Sequence, residues 1–321
     1  MGDIRISQKK VYLDWSHLCE AFDEYQNNTP GGLLEFVNEV SNSHNICISF
    51  THLIELLAGS VKEKVLRRAK WIDNLKPIWV KSAWGIPSPE IRNVLARMLD
   101  PNVLLYSPIT SSFILIFNNV SPSSSADILK DPTVSAFVNA TYEQNEIVLR
   151  HNKLKLASLL EAKAMKKDRD AASAVPKYKV LDILYRKLQA SLIEEAKTIR
   201  SLYADLAAIT DEKIEEMFSD IHAALNEMPF LAVSDSVQKN LSFDLRNEQI
   251  DSQNFEKHSS DYFDRTHLWG AAYCDIFTCD GKTSKYLNDY RIRIGFFKQV
   301  AKQDFGSREE MIAELWRQLR A

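Results

Sequence analysis

Ile46-Cys47-Ile48-Ser49-Phe50 runs straight into Thr51-His52-Leu53-Ile54-Glu55-Leu56-Leu57, and this junction decides the fold. The first five residues are apolar nearly throughout, as in a parallel strand buried on both faces. The next seven switch to the spacing of a short amphipathic helix. A strand feeding a helix is one step of an α/β chain. Upstream, Val11-Tyr12-Leu13 is a second apolar run, closed by Asp14 and followed by a helix with Leu18, Ala21 and Phe22 on one face. Asn27-Asn28-Thr29-Pro30-Gly31-Gly32 is a loop by turn chemistry, and Leu33–Ser41 a further helix. Downstream, Ser60 and Glu63 have capping-box spacing and open a helix through Leu75. Residues 88–99 read as helix, and 103–106 and 113–117 as strands.

From about 122 to 228 the strand signals vanish. Leu181, Leu184, Leu188, Leu192, Ile199, Leu202 and Leu206 follow one another by threes, fours and one seven, a helix-bundle stripe that predicts burial of its leucines. Ile214, Met217, Ile221 and Leu225 continue it after a break at Thr210-Asp211. Past a polar stretch the α/β pattern returns: a helix from Asp264, the run Ile276-Phe277-Thr278-Cys279 ending at Asp280, a helix from Thr283, and a last helix after Ser307 with a capping-box Glu310. The expected organisation is an α/β domain in two pieces, 1–121 and 255–321, divided by a helical insertion at 122–254. An independent helical domain fits the same periodicity.

Composition narrows the class. With 321 residues the chain can bury a sizeable core, and 45% hydrophobic with 26% charged residues is ordinary for a globular protein. Only nine glycines favour helix over loop. A net charge of -3 excludes a globally basic nucleic-acid binder but not a local basic groove. No window approaches the ~20 apolar residues of a membrane span, and Met1-Gly2-Asp3-Ile4-Arg5 is not an apolar signal region. Cys19, Cys47, Cys274 and Cys279 lack zinc spacing, so a reduced, cytoplasmic protein is expected.

Four acids carry the chemistry. Asp14 and Asp280 end strands, Glu55 sits in the helix after a strand, and Asp264 opens a helix. Open α/β folds bind ligands at the carboxyl ends of their strands. Converging carboxylates repel one another, so a divalent cation, Mg²⁺ or Mn²⁺, is their natural partner. Each acid also has a plainer role open to it: Asp14 as a helix N-cap, Glu55 as a solvated helix residue, Asp264 as a complement to a helix dipole, Asp280 as a turn residue. Asp261, three residues before Asp264, is an alternative ligand.

In this order and these settings the acids, together with Thr278-Cys279-Asp280 and with Asp275 just before the strand, resemble the PIN-domain nucleases. The resemblance covers both ends of the chain and not its middle. It implies an α/β fold with a PIN-like parallel-sheet three-layer domain, here split by an all-helical insertion. It implies that Asp14, Glu55, Asp264 and Asp280 hold Mg²⁺ or Mn²⁺ and hydrolyse a phosphodiester, with RNA favoured over DNA on the resemblance alone. The 209 residues from Glu55 to Asp264 far exceed what a minimal PIN domain needs, so the insertion must bring the chain back near where it left.

Ser16 and Thr278 are expected to orient ligands, and His267, one turn after Asp264, to contact phosphate or tune the site. Asp275 is expected to cap local backbone. Cationic candidates for the nucleic acid are Lys62, Lys64, Arg67, Arg68 and Lys70, then Lys282 and Lys285, then the insertion cluster Lys153, Lys155, Lys163, Lys166, Lys167 and Arg169. Trp15 and Trp269 can stack a base, although core packing is the commoner use. Two other functions fit the same residues: a non-catalytic PIN-like interaction protein with a protein partner or second copy on its helical insertion, and a metal-dependent phosphatase.

Overall fold

The computed structural model describes residues 8–29, 31–57, 62–80, 87–103, 105–111, 124–128, 177–233, 267–268, 270–288, 298–301 and 304–321, without the side chains of 87, 128, 177–184, 282, 285, 286 and 288. Its centre is a six-stranded sheet. The strands are β1 (Lys10–Tyr12), β2 (Asn45–Ser49), β3 (Ile78–Val80), β4 (Ile109–Thr110), β5 (Ile276–Cys279) and β6 (Lys298–Ala301). They lie in the order β4-β3-β2-β1-β5-β6. All neighbours are parallel except β3 and β4. Val11 is the hinge of the register, paired with Ile46 on one side and Ile276 on the other.

Side chains alternate between the two faces, as the strand period of two requires. Val11, Ile46, Ile48 and Ile276 enter one core, and Tyr12, Cys47, Val80 and Phe277 the other. The first core is closed by α1 (Trp15–Asn27), α2 (Gly32–Ser43), α3 (Phe50–Leu57) and α4 (Lys62–Asn74), and by the carboxyl-terminal helix. The second is closed by Phe230, Val233, Leu268, Ala271, Ala272 and Leu287. The sheet is therefore covered on both sides. Asn28 ends α1 at φ 51, a conformation asparagine tolerates, which is why a loop starts there.

β3 and β6 do not stand out in the sequence. Both are short and take their stability from an existing neighbour. The expected strand at 103–106 does not form among its described residues. Asn93 Oδ1 accepts from the Tyr106 amide at 3.0 Å and Asn93 Nδ2 donates to the Tyr106 carbonyl at 3.0 Å, which occupies the groups a ladder would use. The expected strand at 113–117 and the cap at Ser60 lie outside the described residues.

α5 (Pro87–Leu99), α6 (Ser125–Ile128) and α7 (Lys177–Leu202) come next. A 3-10 turn at Ala204–Leu206 leads to α8 (Asp211–Met217) and α9 (Ile221–Asn226). No strand interrupts the described part of 122–228, and 129–176 are outside it. Thr210 caps α8 through Lys213 N. Leu192, Ile199, Leu206, Ile214, Phe218 and Leu225 form one core, and Leu188 packs against it. Leu202 departs from the expected stripe, with 73% of its surface exposed. It is the last residue of α7, and Leu206 of the following turn fills the core instead. The side chains of Leu181 and Leu184 are outside the described set.

Ile91, Val94 and Leu95 of α5 belong to the same helical core, so α5 joins the middle segment to the sheet. Glu90 fastens that junction. Its carboxylate accepts from the amides of Phe230 at 2.8 Å and Leu231 at 3.1 Å and from the Tyr273 hydroxyl at 2.6 Å. Burial pushes the Glu90 carboxyl up to about 7, against the pull of these three bonds. Between about pH 4.5 and about pH 7 the folded protein therefore holds a proton that the unfolded chain has released, and stability falls as pH rises through that window. Denaturant titrations should show wild type losing stability relative to Glu90→Gln from about pH 5 to about pH 8. A gap between the two that stays constant would remove Glu90 as the cause.

α10 (Gly281–Asn288) and α11 (Arg308–Arg320) complete the chain. Ser307 Oγ accepts from Glu310 N at 3.2 Å, one half of the expected capping box, while Glu310 Oε2 accepts from Gly306 N at 2.8 Å.

Candidate functional site

The chain lays down β1, β2 and β3 in one direction and returns to place β5 and β6 on the other side of β1. The order reverses between β1 and β5, where open α/β sheets leave a crevice at the carboxyl ends of the strands. Asp14 and Asp280 follow these two strands, and Glu55 lies in the helix after β2.

Asp14 opens α1 with its backbone. Its carbonyl accepts from His17 N at 3.0 Å and Leu18 N at 3.1 Å, and its amide donates to Thr278 Oγ1 at 2.7 Å. Its side chain makes no capping bond to the helix. The carboxylate instead accepts from Ser16 Oγ at 2.5 Å and stays 19% exposed. Ser16 thus bonds the Asp14 carboxylate, and Thr278 bonds the Asp14 backbone amide.

Glu55 is not a solvated helix residue. Its Oε2 lies 2.7 Å from His267 Nε2, which is also 3.8 Å from Asp14 Oδ1. Glu55 remains 23% exposed, while His267 is 2% exposed. Two carboxylates from different elements therefore converge on one buried imidazole.

Behind His267 runs a chain of buried polar groups absent from the expected site: Tyr12, Ser49 and His52. Tyr12 OH is 2.7 Å from His267 Nδ1 and 2.7 Å from Ser49 Oγ. The Ser49 amide donates to His52 Nδ1 at 3.0 Å, so that nitrogen is an acceptor. His52 Nε2 then carries the hydrogen and donates to the Leu13 carbonyl at 2.8 Å. Burial, then the nearby His267, holds His52 well below the usual imidazole range, in keeping with a neutral ring. Burial likewise pushes the Tyr12 phenol well up, so it is a hydroxyl at every ordinary pH. One sequence signal was present: Ser49 and His52 are polar residues within the most apolar junction of the chain.

Gly270 lets the turn bearing His267 rest on Tyr12. A Cβ at that position would meet the Tyr12 ring at 2.1 Å. Gly270→Ala should cost on the order of 1–3 kcal/mol by overpacking and move His267 away from Glu55. Thermal melting and a structure of the variant read both effects, and wild-type stability would show that the turn has room to shift.

Asp280 caps α10: Oδ1 accepts from Thr283 N at 2.7 Å and its carbonyl from Ser284 N at 3.0 Å. Asp275 Oδ2 accepts from Lys10 N at 2.7 Å, the backbone-capping role expected of it. Asp264, Asp261, Trp269 and the insertion cations lie outside the described residues, as do the side chains of Lys282 and Lys285. Among the described residues no group of three or more His, Cys, Asp or Glu is arranged to hold a metal ion. On α4, Lys64 pairs with Asp23 at 3.1 Å, Arg68 lies 3.6 Å from Asp23, and Arg67 lies 3.8 Å from Glu63. The Arg68 guanidinium lies 5.8 Å from the ring centre of Trp15, which is partly buried against the first core. No helix among the described residues is long and apolar enough to cross a membrane.

No family model, no curated protein and no solved structure matches this chain.

The donor set itself limits the chemistry. Asp14 and Glu55 offer hard carboxylate oxygens, both partly exposed, and Asp14 is not taken up by its helix. One or two carboxylates completed by water or substrate phosphate suit Mg²⁺, and hard oxygen donors suit Mn²⁺ equally. These two carboxylates are compatible with such an ion, whose remaining positions would fall to water or phosphate.

Proposed function

We propose that this chain is a PIN-like, Mg²⁺- or Mn²⁺-dependent nuclease that hydrolyses phosphodiester bonds, with RNA favoured over DNA. The observation that carries the reading is the convergence of Asp14 and Glu55 on His267 beyond the carboxyl ends of β1 and β2, with the Asp14 carboxylate left out of the cap it was placed to make. The parallel order β3-β2-β1-β5-β6 is compatible with the three-layer domain the acids imply.

Asp14 and Glu55 would hold the ion; the resemblance alone adds Asp264 and Asp280, and Asp280 has one carboxylate oxygen bound to its own helix. A bound divalent ion supplies an acidified water and stabilises charge on the phosphate oxygens. Ser16 and Thr278 keep Asp14 in place, and His267 keeps Glu55 in place. The RNA preference and the nucleic-acid partner rest on the resemblance of the four acids alone.

The test is incubation with mixed RNA and DNA oligonucleotides and a small phosphate monoester in Mg²⁺, Mn²⁺ or EDTA. Cleavage of RNA with metal and none with EDTA is expected. Turnover of the monoester alone would make the enzyme a phosphatase. A second reading, a non-catalytic scaffold with its partner on the helical segment, is favoured by one fact: Glu55 Oε2 already has a partner in His267. It predicts no turnover with any metal.

A further inference from the structure

His267 is not placed to meet a substrate. It is 2% exposed, and each ring nitrogen has a partner at 2.7 Å: Glu55 Oε2 at Nε2 and the Tyr12 hydroxyl at Nδ1. An imidazole enclosed in this way orients a neighbour and does not react. We propose that His267 is a positioning residue whose Nε2–H holds the Glu55 carboxylate beside Asp14, and that the Tyr12 and Ser49 hydroxyls hold the imidazole. This rests on the metal-dependent reading above and adds residues to it that touch neither carboxylate.

The hydrogen-bond directions support the assignment. Nε2 faces a carboxylate oxygen, which only accepts, so Nε2 carries a hydrogen whichever form the ring takes. On the other side, the chain of hydroxyls ends at His52 Nδ1, an acceptor fixed by the Ser49 amide and 3.2 Å from Ser49 Oγ. The two hydroxyls can therefore point toward His267 or away from it and every member stays satisfied. Neither direction moves the hydrogen between His267 and Glu55. The hold on Glu55 does not depend on the charge of the ring.

The frame around the chain is stiff. Tyr12 is fully buried in the central strand, with its ring centre 4.6 Å from that of His52, 5.7 Å from Phe277 and 5.8 Å from His267. Gly270 brings the His267 turn into contact with the same ring. Tyr12 belongs to β1, Ser49 ends β2, and His52 lies in the first turn of α3 on the face that carries Glu55 one turn later. The relay thus ties β1, the β2–α3 junction and the turn bearing His267 to one carboxylate. Partners that orient a metal ligand in this way typically govern metal affinity about 10–100-fold.

Tyr12→Phe removes one hydroxyl and keeps the ring. It should bind Mn²⁺ more weakly than wild type, by less than the ~10–100-fold expected of a group bonded to the ligand itself, read by titration calorimetry, with an unchanged circular dichroism spectrum. Ser49→Ala should weaken binding in the same direction by less, and it supplies the result if Tyr12→Phe does not fold. His267→Ala should weaken binding at least as much as Tyr12→Phe. His267→Gln, whose amide can donate toward Glu55, should recover part of the loss. If Tyr12→Phe and Ser49→Ala lower the melting temperature but bind Mn²⁺ like wild type, the relay is core packing and the proposal is wrong. If wild type binds no Mn²⁺, the metal-dependent reading falls first and takes the proposal with it.

Discussion

Asp14→Asn is expected to lose metal-dependent cleavage by more than about a hundredfold, since even residues that only support a ligand cost about 10–100-fold. The fold should survive. The bonds from Asp14 to Thr278, His17 and Leu18 are made by its backbone and do not need the charge. Removing one negative charge beside Glu55 also relieves repulsion, so the metal-free variant should be no less stable than wild type. Melting with and without Mn²⁺ separates these effects. At one hundred times its dissociation constant, a ligand of the folded state adds about 2.7 kcal/mol to wild type, and the variant should gain much less. Asp264→Asn carries the same expectation through the resemblance of its motif. If Asp14→Asn cleaves like wild type, or if wild type does not respond to metal, Asp14 is structural and the nuclease reading fails with it.

Phe218→Ala is expected to cost about 3–5 kcal/mol, because the ring is fully buried and a cavity replaces it. The loss should reach the sheet as well as the helices. Phe218 shares its core with Ile91, Val94 and Leu95 of α5, and Glu90 on that helix binds both the Phe230 amide and Tyr273. Phe230 and Val233 in turn pack with Tyr12 and Phe277 of the sheet. Calorimetry should show one transition moving down in temperature. A helical transition that falls alone, with a second one left at the wild-type temperature, would show that the two cores are independent.

The strands around Val11 and Ile46 were legible because parallel strands buried on both faces leave an unbroken apolar run. The capping box at Ser307 was legible because its bonds are local. β3 and β6 are no shorter than β1 and β5, but β6 lacks a comparable unbroken apolar run, and the neighbours that stabilise both are distant in sequence. Residues 103–106 have strand composition, but Asn93 claims their backbone. Leu202 belongs to a stripe that ends with its helix, and an exposed position follows from where the chain turns.

Sequence alone determined the alternation of strands and helices, the helices within 177–226, and the settings of Asp14, Glu55 and Asp280, because each depends on neighbours a few residues away. Tertiary structure decided which of those acids meet. Asp14 and Glu55 come together because β1 pairs with β2, and both reach His267 because β5 returns to the other side of β1. In sequence Tyr12 and Ser49 are parts of apolar runs and His267 a residue expected to contact phosphate or tune the site, and their hydrogen bonds span 37, 255 and 212 positions. A buried hydroxyl or imidazole must find a partner, but local sequence does not say which one. That choice belongs to the packing of the sheet, where desolvation leaves each polar group only the partners its neighbouring strands bring within reach.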